Sequence, residues 1–532
     1  MSGYSVDQSV IERIRQTARR VFRLWDQGLC PGGQVQVRLK GQIVYDQCFG
    51  YANLEHQVKI GPDTAFHAAS VSKQTTVLCA LLLARQGKLD IDQDIRRYIG
   101  DLVGFEEPVS VRDMMNNVSG IRDQWELLMM QGVRIDDVIT MADSKRVIAN
   151  QAALNFPPQS RYLYSNSNFT LLAEIIQRVS GRTFPQIARE MIFEPLGMDH
   201  TCIRESFRQI VPGAAYSYAD NGQGDFSYHP LNYAAYGATS MNITAGDLMK
   251  LLDHYRNPAL CPAETIELMK TRPVLADGQP SPYGAGLMLG DYKGRPYLEH
   301  GGSDAAFRAH MMQFYQDDLD VAILANTQNT NVSWAARQLA CAALGLPEDQ
   351  APEDLLQPAP QRDPAGLYWR REEPGISLLE LCRRADGALT LGREENAPAL
   401  RHIEGNCWQV GYLEEYLYIE EEALTRRTAA GVGRLTRANL SPQPEERLLD
   451  CEGRYQSDEL ETYYDVIEDQ GRLRLRHFRH GEIPLIPIGR DCYALWLGGW
   501  PVSLAFLRGS GARAIGMTLS GGRALDVGFS KE

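Results

Sequence analysis

His67-Ala-Ala-Ser70-Val-Ser-Lys73-Gln74 opens a run, rich in Leu and Ala and free of proline, that continues to Lys88. These two residue types lose little conformational freedom in a helix, so the run predicts a buried helix of about four turns. Ser70 then falls at the helix N-terminus, where unpaired backbone N–H groups favour a developing negative charge. Lys73 follows three residues later, so its amine shares a helix face with the Ser70 hydroxyl.

A serine and a lysine in this spacing suggest a nucleophile with its base. A buried lysine can lose its proton and activate a neighbouring hydroxyl. The motif by itself is weak, because Ser70 would also serve as a simple helix cap beside a solvated Lys73. The interpretation therefore depends on what accompanies the motif further along the chain.

The composition limits the classes of protein that this chain can be. Its 532 residues exceed one hydrophobic core, and the 44% hydrophobic and 23% charged content is typical of a globular enzyme. A net charge of −13 argues against nucleic acid or an anionic membrane as a partner. We find neither an apolar signal core nor an apolar run long enough to span a bilayer. The ten scattered cysteines lack a C-x-x-C pair, which favours free thiols in the cytoplasm over disulfides or a metal site.

The first two thirds of the chain mix helices with antiparallel strands. Residues 32–51 alternate as two strands that meet at Lys40-Gly41. Apolar periodicity and helix-stop signals predict further helices at residues 109–121, 133–152, 169–181, 242–255 and 334–344. Further strands are predicted at residues 283–289, 296–300, 306–315 and 321–326, and a long surface loop at 211–235. We therefore expect an α+β catalytic domain over residues 1–346.

The last third consists of short strands and turns that repeat once. Gly366-Leu-Tyr368 matches Gly453-Arg-Tyr455, and Cys407-Trp408 matches Cys492-Tyr493 at nearly the same offset. Two antiparallel β-barrels are the simplest interpretation, over residues 363–440 and 446–532. The Pro- and acid-rich residues 347–362 are predicted to be a linker. Cutting the chain after Leu346 is then expected to leave a folded catalytic domain with altered selectivity.

Three short motifs occur in a fixed order: Ser70-x-x-Lys73, Tyr164-Ser-Asn166 and His300-Gly-Gly302, the last opening a strand pair. Together with residues 109–121, 192–201 and 237–248, they resemble the serine β-lactamase and penicillin-binding protein superfamily in its class C-like branch. The resemblance implies a β-lactamase-like domain with helices around an antiparallel sheet. It covers residues 8 to 345.

The resemblance also implies roles for individual residues. Ser70 would form an acyl-enzyme, and Lys73 and Tyr164 would share its proton, Tyr164 as a phenolate. Asn166 would bind the substrate amide, and Gly302 would precede the strand that pairs with substrate. The N–H groups of Ser70 and of the strand near Ser303 would hold the oxyanion. Taken singly, a core tyrosine, a helix-capping asparagine and a surface histidine remain the simpler alternatives for Tyr164, Asn166 and His300.

His300 stands where β-lactamases carry a lysine, so the permanent cation of that position is lost. The histidine form of this motif resembles that of the D-aminopeptidase family of S12-type serine peptidases. The order of a catalytic domain followed by two barrels is also similar to that family. The resemblance implies release of N-terminal D-amino acids from peptides, amides or esters, without a cofactor or metal. The alternatives are a class C-like carboxylesterase or β-lactamase-related hydrolase, and a non-catalytic peptide-binding protein. A homodimer is compatible with the sequence.

An aminopeptidase must bind the free N-terminal amine of its substrate, which requires a carboxylate or carbonyl acceptor in the pocket. In the D-aminopeptidase family a hairpin of the last barrel enters the active site, and residues 495–501, with Trp500, are its counterpart here. That stretch contains no carboxylate, so Asp491 just before it and Glu482 in the preceding turn are the candidate amine ligands. Ordinary exposed turn acids are the alternative for both.

Overall fold

The computed structural model describes residues 6–221, 224–347, 358–372, 374–393, 397–410, 415–428, 431–438, 450–510 and 513–532. A six-stranded antiparallel sheet forms the centre of the first domain, in the order β10-β11-β12-β13-β1-β2. Its strands are β1 Gly33–Leu39, β2 Gln42–Phe49, β10 Met288–Tyr292, β11 Arg295–Asp304, β12 Phe307–Phe314 and β13 Leu319–Ala325. Short strands outside this sheet are β3 Tyr51–Asn53, β4 Val58–Lys59, β5 Phe66–His67, β6 Cys202–Ile203, β7 Tyr218–Asp220, β8 Phe226–Tyr228 and β9 Met241–Ile243.

Helices cover both faces of this sheet. They are α1 Gln8–Val21, α2 Lys73–Arg85, α3 Arg96–Ile99, α4 Val111–Met115, α5 Gln124–Gln131, α6 Met141–Ala149, α7 Asn166–Ser180, α8 Phe184–Ala188, α9 Ala245–Arg256, α10 Ala263–Lys270 and α11 Val332–Leu344. Strand β13 shows why two layers form. Val321 and Ile323 join the core under α1 and α11, whereas Ala322 and Leu324 join the core around α2 and α7, because successive side chains of a strand point to opposite faces.

Helix α2 is the centre of the larger core. Every residue from Lys73 to Leu83 is buried, so the helix is enclosed on all sides. The turn before it, Ala69–Ser72, is a 3₁₀ helix. Ala69 has a φ of +48°, a left-handed conformation that is uncommon for a residue with a side chain. Ser70 is thus presented from a sharp turn at the start of α2, as the helix prediction required.

Several predicted elements differ in their bounds. Helix α4 ends at Met115 rather than at Ser119, because Asn117 has a φ of +55° and turns the chain. Only Met141–Ala149 of residues 133–152 is helical, starting at a Thr140 capping box with Asp143. The His300-Gly-Gly302 motif lies inside β11 and does not open it, since β11 runs from Arg295 to Asp304. The predicted loop at 211–235 contains the short strands β7 and β8.

The last third forms two antiparallel sheets that are nearly closed barrels. The first has the order β16-β15-β14-β21-β20-β19-β18-β17 and the second β25-β24-β23-β22-β30-β29-β28-β27-β26. The first comprises β14 Gly366–Arg371, β15 Ile376–Arg383, β16 Leu389–Leu391, β17 Leu400–Glu404, β18 Cys407–Val410, β19 Tyr416–Ile419, β20 Ala423–Thr428 and β21 Gly431–Arg437. The second comprises β22 Gly453–Ser457, β23 Thr462–Asp469, β24 Arg472–His477, β25 Gly481–Pro484, β26 Ile486–Gly489, β27 Cys492–Leu497, β28 Trp500–Arg508, β29 Ala514–Ser520 and β30 Val527–Lys531. The predicted fold class is therefore confirmed.

The sequence repeat has a structural counterpart at the first strand of each barrel. The Tyr368 hydroxyl donates a hydrogen bond to the Pro364 carbonyl, and the Tyr455 hydroxyl donates one to the Cys451 carbonyl, four residues back in both cases. A cation lies over each ring, Arg437 in the first barrel and Lys531 in the second. The two barrels thus share one way of anchoring their first strand.

Helix α5 of the first domain packs into the second barrel. Leu127, Leu128 and Met130 belong to the same buried cluster as the barrel strands. The Tyr464 hydroxyl donates a 2.9 Å hydrogen bond to the Met130 carbonyl. The second barrel is therefore part of the packing of the first domain, although the predicted boundaries at 346, 363, 440 and 446 remain a prediction. Much of the predicted linker, residues 348–357, lies outside the described residues.

All ten cysteines lie in described segments, and each is a free thiol. Among the helices of the described ranges, none is long and apolar enough to cross a membrane.

Candidate active site

Lys73 places its amine among three oxygen atoms. Nζ donates hydrogen bonds to Asn166 Oδ1 and to the Ala238 carbonyl, both at 2.8 Å, and lies 3.0 Å from Ser70 Oγ. A neutral amine has two N–H groups, which these two acceptors occupy, so its lone pair faces the Ser70 hydroxyl. Burial lowers the pKa of Lys73 to about 7, against the opposing effect of the Asp304 and Asp123 carboxylates. Near neutral pH the arrangement can therefore remove the Ser70 proton.

Tyr164 shares a hydrogen bond with the Ser70 side chain, and its ring centre lies 4.8 Å from Lys73 Nζ. Burial raises the pKa of Tyr164 above its ordinary value, an effect larger than the lowering by Ser70 and Arg523. The structure therefore favours a protonated phenol over the expected phenolate. A phenol in this place can pass a proton to a leaving group, while Lys73 acts as the base.

Asn166 has a different set of contacts from the one the resemblance implies. Its Oδ1 accepts from Lys73, and its Nδ2 and backbone N–H both donate to Asp123 Oδ2 at 2.7 Å. The Asn166 amide therefore holds Lys73 through its oxygen. The bond to Asp123 uses one of the two Nδ2 hydrogens, so the contact with a substrate amide that the resemblance implies stays a prediction.

His300 lies in β11 and lines the Ser70 cleft. Its Nδ1 is 2.8 Å from the Gly301 carbonyl and must carry the proton, so Nε2 accepts from the Tyr283 hydroxyl at 2.9 Å. Burial, with the nearby Lys73 charge, lowers the pKa of His300 to about 3. The ring is neutral at working pH, and both nitrogens are occupied. The geometry gives His300 neither the lactamase cation nor a free proton for catalysis.

Gly302 brings β11 close to the nucleophile. A Cβ atom at this position would lie 2.2 Å from the Ala68 carbonyl, a distance that no side chain tolerates. Gly302 and Ser303 both line the cleft with Ser70. The close approach explains the glycine without any contact to substrate.

The outer half of β11 has an open edge. Strand β10 pairs with β11 only up to Glu299, whereas β12 pairs with it as far as Asp304. Two residues separate Asp304 from Phe307, so residues 300, 302 and 304 form the hydrogen-bonded pairs with β12. The backbone groups of Gly301 and Ser303 then point to the open edge, where a substrate strand and an oxyanion can be bound.

The structure does not bring Asp491, Glu482 or Trp500 to this cleft. Asp491 lies in the β26–β27 turn, and its carboxylate accepts from Arg508 Nη2 at 2.7 Å. Glu482 lies on β25 and pairs with Arg474 at 3.1 Å. Trp500 is half exposed where the β27–β28 hairpin closes. The cleft-lining residues in described segments include none of the three.

A different loop of the second barrel reaches the first domain. The β29–β30 loop carries Arg523, whose Nη1 lies 3.5 Å from Asp123 Oδ2 and whose Nε donates to Glu126 Oε1 at 3.2 Å. Arg523 lowers the pKa of Lys73, whereas Asp123 raises it. The Gly521-Gly522 pair before Arg523 is a turn signal, but it resembles the Gly498-Gly499 pair of the exposed hairpin. Sequence alone therefore could not separate the two loops.

The cleft itself lies between the first domain and the first barrel. Its volume is about 860 Å³, and its walls come from β11, β12, the residues before and at the start of α11, and residues 398–401 of the first barrel. The described residues contain no cluster of His, Cys, Asp and Glu suited to a metal ion. The reactive pair in the cleft is the Ser70 hydroxyl and the Lys73 amine, 3.0 Å apart.

The chain is similar in sequence to a protein family and to individual known proteins. A family model described as Beta-lactamase matches residues 17–337. The chain is 30% identical to a D-aminopeptidase of Gluconobacter oxydans over 356 residues, which is 65% of this chain but only 64% of that relative. It is 26% identical to a D-aminopeptidase of Brucella ovis over 519 residues, covering 92% of this chain and 93% of the relative.

Among solved structures, the octameric penicillin-binding protein homologue from Pyrococcus abyssi is similar in fold, with a TM-score of 0.53 and 20% identity over 98% of both chains. The family model covers more than half of the sequence and includes Ser70, Lys73, Tyr164 and His300. The chain therefore belongs to the beta-lactamase family, and it is a serine hydrolase.

Proposed function

We propose that this protein is an aminopeptidase that releases N-terminal D-amino acids from peptides, amides or esters through an acyl-enzyme. The observation that carries the proposal is the contact of a buried, low-pKa Lys73 with Ser70 at 3.0 Å. The D-aminopeptidase of Brucella ovis, which matches the catalytic domain and both barrels, supports the choice of substrate class.

The proposed reaction follows from the placement of these groups. Neutral Lys73 removes the Ser70 proton as Oγ attacks the acyl carbon, and the Ser70 and Ser303 N–H groups hold the oxyanion at the open edge of β11. Tyr164, as a phenol, passes its proton to the departing amine and takes up the proton that Lys73 removed from Ser70, so that the phenol and the neutral amine are both restored. Water then attacks the acyl-enzyme, and the same groups return Ser70 to its free form.

The nucleophile is tested by labelling and by turnover. A fluorophosphonate probe should label the parent protein, whereas Ser70→Ala should lose labelling and about a thousandfold or more of its turnover. Ser333→Ala, which removes another serine hydroxyl from the same cleft, should keep both. Ser70→Ala turnover within tenfold of the parent would exclude the acyl-enzyme.

A carboxylesterase is the second candidate, and one observation favours it. Among the described residues that line the cleft there is no Asp or Glu to receive a substrate amine. Matched D- and L-alanyl anilides, their N-acetylated forms and an acyl ester separate the two activities. Faster cleavage of the free D-alanyl anilide supports the aminopeptidase. Equal rates on the free and acetylated anilides support the esterase.

The cellular location and the oligomeric state of the protein are also proposals. Ten free thiols are compatible with the cytoplasm, where glutathione keeps cysteines reduced. A homodimer is likewise proposed, and light scattering of the purified chain would measure it.

A further inference from the structure

The Ser70 cleft carries positive charge without a matching negative charge on its walls. Arg308 on β12 and Arg401 on β17 both line it, and the cleft-lining part of the described chain contains no carboxylate. This is unexpected in a protein whose net charge is −13. Two guanidinium groups facing one partly enclosed cleft favour an anion there, because an arginine presents paired donors that match the geometry of a carboxylate.

Arg308 is held in place by neutral groups. Its Nη1 donates to the carbonyls of Phe307 and Ala305, at 2.7 and 3.1 Å. The Asp304 carboxylate acts on Arg308 through its charge, but it accepts hydrogen bonds from His67 Nε2 at 2.8 Å and from the Thr239 hydroxyl. No carboxylate in the described ranges forms an ion pair with Arg308, so the guanidinium retains donors for a ligand.

Arg401 enters the cleft from the other side. It lies on the first barrel, and its Nε and Nη2 donate to the Gln409 side-chain oxygen at 3.2 and 2.6 Å. Gln409 is neutral, so it orients the guanidinium without cancelling its charge. The two arginines thus belong to two different domains and face one cleft that also contains the nucleophile.

We propose that Arg308 and Arg401 form a carboxylate-binding subsite of the Ser70 cleft, so that preferred substrates carry a carboxylate in addition to the scissile group. The inference rests on the proposed function and deepens it. It also supplies, from β12 and the first barrel, the cation that is missing at position 300. The carboxylate has two possible sources: the C-terminus of the leaving peptide, or an acidic side chain on the D-residue that is released.

Matched substrate pairs test the subsite. The parent should hydrolyse D-alanyl-D-alanine about tenfold or more faster, in kcat/KM, than D-alanyl-D-alanine amide. If the acidic side chain is the source, D-glutamyl anilide should exceed D-glutaminyl anilide by a similar factor. Arg308→Gln and Arg401→Gln should each bring the relevant ratio towards one, and the double variant should abolish it. Each ratio compares two substrates on one protein sample, so partial misfolding of a variant cancels.

Arg393→Gln is the matched control. Arg393 also lies in the first barrel, but it pairs with Glu380 at 2.7 Å and lies over the Trp496 ring, so its variant should keep the parent ratio. Turnover of D-alanyl anilide, whose leaving group is neutral, measures the proposed function separately. Calorimetric binding of the peptide and its amide to Ser70→Ala protein measures the subsite even without turnover. Ratios near one for both pairs in the parent, or an unchanged ratio in the double variant, would overturn the subsite.

Discussion

At the residue scale, the central feature is how a lysine becomes a base inside a protein. Lys73 is fully buried, and desolvation disfavours its charged form. Asn166 and the Ala238 carbonyl accept its two N–H groups, which directs the lone pair to Ser70. Asp304 and Asp123 act in the opposite direction and keep the pKa near 7 rather than lower. The balance of these effects places the pKa of Lys73 within the range of physiological pH.

The pH dependence of kcat/KM should therefore show an acidic limb near pH 7. Lys73 must be neutral to act, so activity should fall as pH decreases through its pKa of about 7. A histidine would titrate in the same range, but the pKa of His300 is lowered to about 3. His300→Gln should consequently leave the limb where it is. A flat profile between pH 5.5 and 8, or a limb lost in His300→Gln, would contradict the assignment.

At the element scale, the site depends on how closely β11 approaches the turn that carries Ser70. Ala69 takes a left-handed φ, which costs about 1–2 kcal/mol for a residue with a side chain. Gly302 packs directly on the Ala68 carbonyl. The strained turn at Ala69 and strand β11 at Gly302 therefore pack directly against each other. As a result, the nucleophile and the open edge of β11 lie in one cleft.

Substitution of the adjacent glycines Gly302 and Gly301 should distinguish the effect of the close contact between β11 and the Ser70 turn from general effects of an added side chain on β11. Gly302→Ala places a Cβ 2.2 Å from backbone and should lower kcat by about tenfold or more, because a displacement of about 1 Å at the chemistry is costly. Gly301→Ala is the control, since its Cβ would meet His310 Nδ1 at 3.5 Å and the Ala309 carbonyl oxygen at 4.0 Å, both ordinary contact distances. Steady-state kinetics with D-alanyl anilide, alongside thermal melting, measure both. Equal losses in the two variants would contradict a specific role for the close approach.

At the scale of the whole molecule, the second barrel takes part in the site. Its β29–β30 loop is held by its backbone: Asp123 N–H donates to the Arg523 carbonyl at 3.0 Å, and Leu525 N–H donates to Asn155 Oδ1 at 2.8 Å. The Arg523 side chain then lies beside Asp123, which holds Asn166, which in turn holds Lys73. Three hydrogen-bonded or ion-paired steps join the last barrel to the base.

Arg523→Gln should move the acidic limb of kcat/KM to higher pH. The positive charge of Arg523 lowers the pKa of Lys73, so its removal raises that pKa. Asp123→Asn should move the limb to lower pH, because the lost carboxylate stabilised the charged amine. Arg479→Gln, which breaks a 2.6 Å ion pair with Asp137 between the same two domains, should not move it. Identical limbs in the Arg523 and Arg479 variants would refute the electrostatic role.

The sequence predicts that a chain cut after Leu346 leaves a folded catalytic domain, but from the structure we expect that this fragment does not fold independently. The fragment would expose Leu127, Leu128 and Met130 of α5, and it would leave Arg122 without Glu459 at 2.6 Å. Each exposed apolar side chain costs about 1.5–3 kcal/mol of burial, so we expect aggregation or a loss of cooperative melting. Light scattering and calorimetry measure both. A monomeric fragment that melts cooperatively would show that the first domain folds independently.

The sequence alone determined the features that depend on local pattern. The helix after Ser70, the Ser70–Lys73 spacing on one face, the two-barrel repeat and the fold class follow from periodicity and from short motifs, because helices and turns are set by near neighbours.

Only the tertiary structure decided which side chains of the site contact one another and how their pKa values shift. Asn166 binds Lys73 and Asp123, burial lowers the pKa of His300 and raises that of Tyr164, and Arg523, which lies outside residues 495–501, pairs with Asp123. Each of these depends on desolvation or on contacts between residues tens to hundreds of positions apart. A linear pattern carries no such information, because burial and electrostatic interaction are properties of the packed molecule.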